Sequence, residues 1–279
     1  MSDSVHCFYG KWRGAFQAAA AFIAGLCLFA FAGCVIFKNT DRYQAQRVRT
    51  LAEKYSGAAW PERREIIREI VEYYKSSQTG LVTATLTLAA EDPHQAVRIE
   101  AVRAIDRVEE KWSHELLRKC ALTDESENVR WYALKALAKR RDPADVDVFI
   151  RGMQSEDWLV REEAVSGMLA LDDATIRERL VPYIIRAIND PRTNVSLATL
   201  RKIRIKDDRL YAAITAKLNA ASDFDYSLIT SCLEALYGYR LDEKTRERII
   251  QLLLHQNVRI RLLALHVLKQ DAALSPRIR

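Results

Sequence analysis

Glycine and proline are scarce, at 9 and 6 in 279 residues. Turn-rich and all-β folds use both to punctuate short strands, so their scarcity argues for long helices in short connections. Histidine is equally sparse. His6, His94, His114, His255 and His266 form no His-x-x-x-His, and none stands at metal-ligand spacing from a cysteine. The five cysteines, Cys7, Cys27, Cys34, Cys120 and Cys232, include no Cys-x-x-Cys. A Gly-rich phosphate loop, a Gly-x-Ser-x-Gly elbow and a paired-carboxylate motif are all missing. No catalytic, cofactor-binding or metal-ligating residue is therefore assigned, and the expectation is a protein that is not an enzyme. Charge of one sign is lacking too. With 43 basic against 37 acidic residues the net charge is +6, which permits an anionic partner without requiring one.

What the sequence does have is one long apolar run, residues 15–37, reading AFQAAAAFIAGLCLFAFAGCVIF. As a helix it measures about 34 Å, enough to cross a hydrocarbon core of about 30 Å. Two readings stay open. One is an uncleaved transmembrane anchor. The other is a secretory signal, because Phe31-Ala32-Gly33-Cys34 looks like the lipobox of bacterial lipoproteins, in which the cysteine (here Cys34) is lipidated. The run before Cys34 is 19 residues long and continues past it as Val35-Ile36-Phe37, which favours the anchor. Lys11 and Arg13 precede the run, and Lys38, Arg42, Arg47 and Arg49 follow it. The positive-inside rule then places the C-terminal part in the cytoplasm. The lipoprotein alternative faces it to the periplasm. The chain divides into a tail (1–14), the membrane segment (15–37), a linker (38–40), a repeat domain (41–269) and a C-terminal tail (270–279).

The repeat is visible in register. Val97, Val129, Val160, Val195, Leu228 and Ile260 recur at steps of 32, 31, 35, 33 and 32 residues. Four positions on stands a small or thin residue: Ala101, Ala133, Ala164, Thr199, Cys232 and Ala264. Eight positions on comes Ile105, Leu137, Met168, Ile203, Leu236 and Leu268. Offsets of 4 and 8 keep one helix face, and the small residues let two helices approach closely. An Asp often precedes the motif (Asp92, Asp124, Asp190 and Asp223, with Asp157 the nearest equivalent in the unit of Val160), as suits a helix cap or the turn before it. Residues 81–90, 115–122, 146–153, 176–188, 210–218 and 245–254 supply a partner helix for each unit. Residues 42–55 and 62–74 form an earlier, degenerate pair, with Gly57 ending its first helix and Pro61 opening its second.

The pattern Asp-x4-[VIL]-Arg-x2-Ala-x2-[AG]-[LIM] is clearest in Asp124-Glu-Ser-Glu-Asn-Val129-Arg130-Trp-Tyr-Ala133-Leu-Lys-Ala136-Leu137. It resembles the HEAT-repeat family, most closely the short HEAT-like repeats of bacterial proteins. Tetratricopeptide and ankyrin signatures are missing. The resemblance covers about residues 41–269. It implies an all-α fold, a right-handed α-solenoid of about seven HEAT-like helix pairs preceded by one hydrophobic membrane helix. It also implies a scaffold or adaptor that binds a protein partner through its curved surface. HEAT-like lyases, hydroxylases and nucleic-acid-binding solenoids are the alternatives. His114-Glu115 is only one His-Glu dipeptide where such hydroxylases use several, and a membrane segment argues against nucleic acid. The resemblance further implies that Arg98, Arg130, Arg161 and Arg261 form ladders with Asp residues between neighbouring repeats. Ser196 and Ile229 depart from that pattern. The most basic surface stretch is Arg201, Lys202, Arg204 and Lys206, the candidate site for an acidic protein partner.

Overall fold

A computed structural model describes residues 40–171 and 173–271. The tail 1–14, the membrane segment 15–37 with Cys34, and the tail from residue 272 lie outside the described residues. Among the described residues no helix is long and apolar enough to cross a membrane. They form fourteen α-helices and two short 3-10 turns, with no strand. The chain comprises two compact units, residues 1–88 and 89–279.

In the first unit, α1 (Asp41–Tyr55) packs on α2 (Trp60–Ile70), which a 3-10 turn, Val71–Tyr73, extends. Val48, Leu51 and Tyr55 bury one face of α1, and Ile66, Ile67 and Ile70 one face of α2. Pro61 stands in the first turn of α2, where its missing N–H leaves no bond unmade. Arg47 grips Glu69 with two parallel bonds of 2.5 and 2.7 Å across the pair. α3 (Thr79–Ala89) follows.

The second unit continues with α4 (Gln95–Ile105), α5 (Lys111–Thr123), α6 (Glu127–Arg140), α7 (Val146–Gly152) and α8 (Trp158–Ala170). Then come α9 (Ala174–Ile188), α10 (Thr193–Lys202), α11 (Asp208–Ala220), α12 (Tyr226–Leu236), α13 (Glu243–Leu252) and α14 (Val258–Gln270). From α4 to α14 each even helix packs against the next even helix. The odd helices α5, α7, α9 and α11 stack likewise in a second row. The unit is thus two layers of helices sharing one core.

The motif explains the packing. Ala101, Ala133, Ala164, Thr199, Cys232 and Ala264 are all fully buried at the seams. Closeness peaks where α7 meets α8. A Cβ on Gly167 would stand 2.1 Å from the Phe149 ring, so only glycine admits that ring there. In the sixth repeat Leu228 is half-buried while Ile229 is fully buried. The arginine position has become apolar there, and the core closes over it.

The recurrent aspartates divide into two roles. Asp92, Asp124 and Asp190 sit two residues before the N-cap, and each accepts the N-cap residue's backbone N–H at 2.8–2.9 Å. Asp157 is itself the N-cap of α8 and accepts from Leu159 N and Val160 N. Cys120 and Cys232 are free, buried thiols. Burial pushes them up to about 11 and about 12, which keeps both protonated and inert.

Candidate partner-binding groove

The arginines of the repeat act first on their own turns. Arg98 donates to Asp92 O (2.9 Å), Arg130 to Asp124 O (3.2 Å), Arg161 to Ser155 O and Glu156 O (3.0 and 2.8 Å), and Arg261 to His255 O and Gln256 O (2.7 and 3.0 Å). Among the described residues, two of them reach the next repeat. Arg98 binds Asp124 through two bonds of 2.9 and 3.1 Å, and Arg161 binds Asp190 through two of 2.7 and 2.9 Å. The four expected rungs are therefore two. Arg130 turns back to Glu127, and Asp157 caps α8. Arg261 makes no rung among the described residues. In the Arg161 pair, the hydrogen bond to Asp190 raises the guanidinium's pKa. Burial works to raise the Asp190 carboxyl, but Arg161 and the Arg192 backbone N–H outweigh it and hold it below the ordinary carboxylate value.

The basic stretch is split by the end of α10. Lys202, at the helix end, reaches back to α8 and donates to Ser166 Oγ at 2.7 Å. Its charge also falls on Glu162 and Glu163, whose carboxyls burial pushes up in spite of it. Past Ile203 the chain runs extended. Arg204 folds onto Arg201 O and Ile203 O (2.9 and 2.7 Å). Lys206 crosses to the next repeat. Its ammonium binds Tyr237 O and Ala235 O at the end of α12 and lies 4.0 Å above the Tyr239 ring. Burial, with Arg204 nearby, lowers its pKa. Lys206 is thus a helix C-cap supplied from the neighbouring pair. Gly238, with φ of 77°, takes the left-handed turn that follows α12.

Arg201, Arg204 and Lys206 nevertheless share one groove of about 420 Å³ with Tyr237 and His266. Tyr237 and His266 are stacked, centroids 4.9 Å apart and planes 9° from parallel. Arg201 and Arg204 are exposed, and the Arg201 guanidinium has no hydrogen-bond or ion-pair partner among the described residues. Glu234 on the wall is bound to Arg259 at 3.1 Å. The groove offers a guanidinium fork beside a flat aromatic step, which suits a carboxylate on an apolar stem. Sequence reasoning found the cations. It missed Tyr237 and His266, which are 29 residues apart and meet only because α12 and α14 are neighbours.

A larger groove, about 890 Å³, lies around the start of α5 and the end of α6. His114 Nε2 stands 3.0 Å from Asp145 Oδ1, which also accepts from Arg118 at 2.7 Å. Arg140 donates to Val108 O and Ile105 O, and Lys139 pairs with Asp106. Acidic and basic residues are balanced around it, and these cations are bound within the fold. The lone His-Glu dipeptide noted in the sequence is thereby a structural tie between two repeats. Trp131 is half-buried, edge-on to Tyr132, with the Lys135 ammonium 4.9 Å from its ring.

No curated protein matches the chain. Among solved structures it is similar to an engineered protein, at 17% identity and a TM-score of 0.42, over 80% of this chain and 95% of that one. It is also similar to importin beta, at 11% identity and a TM-score of 0.49, over 91% of this chain and 45% of that one. Residues 82–169, which hold the two ladder arginines that reach a neighbouring repeat, match the family model described as HEAT repeats.

Proposed function

We propose that this chain is a membrane-tethered scaffold whose stacked helix pairs hold an acidic protein partner in the groove of Arg201, Arg204, Tyr237 and His266. The observation that carries the reading is the exposed, unpaired Arg201 guanidinium beside Arg204 and the Tyr237–His266 stack. Stacked repeats present long surfaces of this kind and bind protein through them. The reading is non-enzymatic. In the larger groove His114 and Arg118 share Asp145, and the Ser113 hydroxyl beside them is buried and donates to backbone carbonyls. The tether is residues 15–37, as an anchor that leaves the repeats in the cytoplasm or as a lipidated Cys34 that leaves them in the periplasm.

The test uses the full chain in detergent micelles as bait for membrane-associated proteins at low ionic strength. Arg201→Glu with Arg204→Glu is expected to lose the acidic partner that the unaltered chain retains, and added salt to weaken the unaltered capture. Equal capture by both proteins at low salt sinks the groove. For the tether, lipid labelling abolished by Cys34→Ser identifies a lipoprotein. Membrane retention with unchanged mass in that variant identifies an anchor. Recovery of the unaltered chain in the soluble fraction removes the tether altogether.

A further inference from the structure

The even row has an open end. Val102, Leu134, Val165, Leu200 and Leu233 hold equivalent positions on α4 to α12, and each is fully buried. Each of those helices has a following even helix packed on it. Leu265, the equivalent residue of α14, is 38% exposed, and no described element packs beyond it. Leu254 (90%), Val258 (57%) and Leu262 (62%) are more exposed still. Val258, Leu262 and Leu265 stand at i, i+4 and i+7, so they share one face of α14. Single exposed leucines are ordinary, but a continuous apolar stripe on one helix face marks an interaction site.

Charge selects the occupant. α14 carries Arg259, Arg261 and Lys269 and no carboxylate; Arg259 is already paired with Glu234 of α12, and Asp271, the C-cap of α14, is bound to Arg246. Lys269 is exposed and in no ion pair among the described residues. A second copy docked α14 to α14 would set the same cations against each other, which disfavours that pairing. The chain's own residues 272–279 carry Arg277 and Arg279 and no carboxylate side chain, so they add positive charge to positive charge. We infer that the open face of α14 seats an amphipathic helix of a partner protein, with a leucine-type stripe against Val258, Leu262 and Leu265 and an acidic flank beside Lys269. A helix fits because every earlier even helix in this unit receives a helix at this face, and helix-in-groove docking reads such anchors at i, i+4 and i+7. The inference rests on the reading of the chain as a protein-binding scaffold, but not on the groove of Arg201 and Arg204.

The test is a displayed library of helical peptides with a fixed leucine stripe and flanks randomised among Glu, Lys, Gln and Ala, selected on the full chain in detergent micelles. Glu-rich flanks are expected among the survivors. Leu262→Asp is expected to weaken the selected peptide by about tenfold or more, the scale of losing a buried anchor. Arg201→Glu with Arg204→Glu should leave its affinity unchanged, which separates this face from the groove. Lys269→Glu gives a second variant, expected to remove the Glu excess from the selected flanks. Survivors without a Glu excess overturn the proposal, as does equal affinity for the Leu262→Asp protein. A dimer in sedimentation that Leu262→Asp dissociates also overturns it, and makes a second copy the occupant.

Discussion

The repeats from α4 to α9 and those from α10 to α14 solve one problem with different chemistry. Between stacked pairs the turn carbonyls lose water and need donors. In the first group arginine supplies them. Arg98 and Arg161 bind the carbonyls of their own turns and then the aspartate of the next repeat. In the second group Arg261 still serves the last turn, and the other donors are unrelated. Ser196 donates to Ile188 O at 2.7 Å, Lys206 caps α12, Tyr239 donates to Ile205 O at 3.2 Å, and His255 Nε2 lies 2.8 Å from Asp223 O. The even row of helices continues through both. The fold therefore requires a donor at these places and does not require arginine. The family match ends at residue 169, and the next two repeats are those in which serine and isoleucine replace it.

The comparison breaks first at Arg161. Its partner Asp190 is almost wholly buried, with 3% of the side chain exposed. Arg161→Ala leaves that carboxylate unpaired and strips two turn carbonyls, so it is expected to cost about 3–5 kcal/mol. Ser196→Ala strips one carbonyl and strands no charge, and is expected to cost about 1–3 kcal/mol. Urea unfolding measures both. Equal costs would mean that the two groups of repeats do not differ in how they hold their turns.

Packing at the seams gives the next effect. Gly167→Ala places a methyl group inside the Phe149 ring, which is fully buried and has little room to move. A loss of about 1–3 kcal/mol is expected, and Ala133→Leu at the α6 seam should lose a similar amount. A midpoint that stays put in both would show that these seams are looser than the buried alanines imply.

The helices themselves were legible in the sequence because burial writes a period. The valine, alanine and leucine positions repeat whatever the turn chemistry does, and the predicted partner helices coincide with α3, α5, α7, α9, α11 and α13 to within a few residues. The turns were less legible. Asp157 looks like the other aspartates, yet it stands two positions later, as the N-cap itself, and Arg130 makes no rung to it. The groove was half legible. Arg201 and Arg204 form a visible cluster, but Lys206 turns away to cap α12, and Tyr237 and His266 come from two other helices. The apolar end of α14 follows no rule of composition. It shows only when Leu265 is set against its five buried equivalents.

Acid sharpens the contrast between the two groups. The Asp190 carboxyl is held below its ordinary value in the folded chain. A depressed carboxylate contributes stability that is fully present above the unfolded pKa of about 3.9 and is lost as pH falls through the folded pKa. The cost of Asp190→Asn, read from urea midpoints, is therefore expected to be constant above about pH 5 and to shrink below about pH 4. The cost of Ser196→Ala involves no titrating group and should not change over that window. A cost of Asp190→Asn that is flat with pH would mean that its charge is not what holds the rung.

The smallest expected effect on stability is at Arg201 and Arg204, and it is where function and structure separate. The Arg201 guanidinium bonds to nothing among the described residues, and Arg204 donates to carbonyls at an exposed helix end. Exposed charges contribute little, so Arg201→Glu with Arg204→Glu is expected to shift stability by less than about 1 kcal/mol. Lys206 differs, although it lies two residues away in the same basic stretch. It is the donor that caps α12 and packs on Tyr239, so Lys206→Glu should destabilise by more than the double reversal does. The pair of measurements divides the stretch into residues available to a partner and a residue already spent on the fold. If the double reversal unfolds the chain as readily as Lys206→Glu, the arginines belong to the structure. The second group of repeats would then differ from the first only in which cations hold its turns.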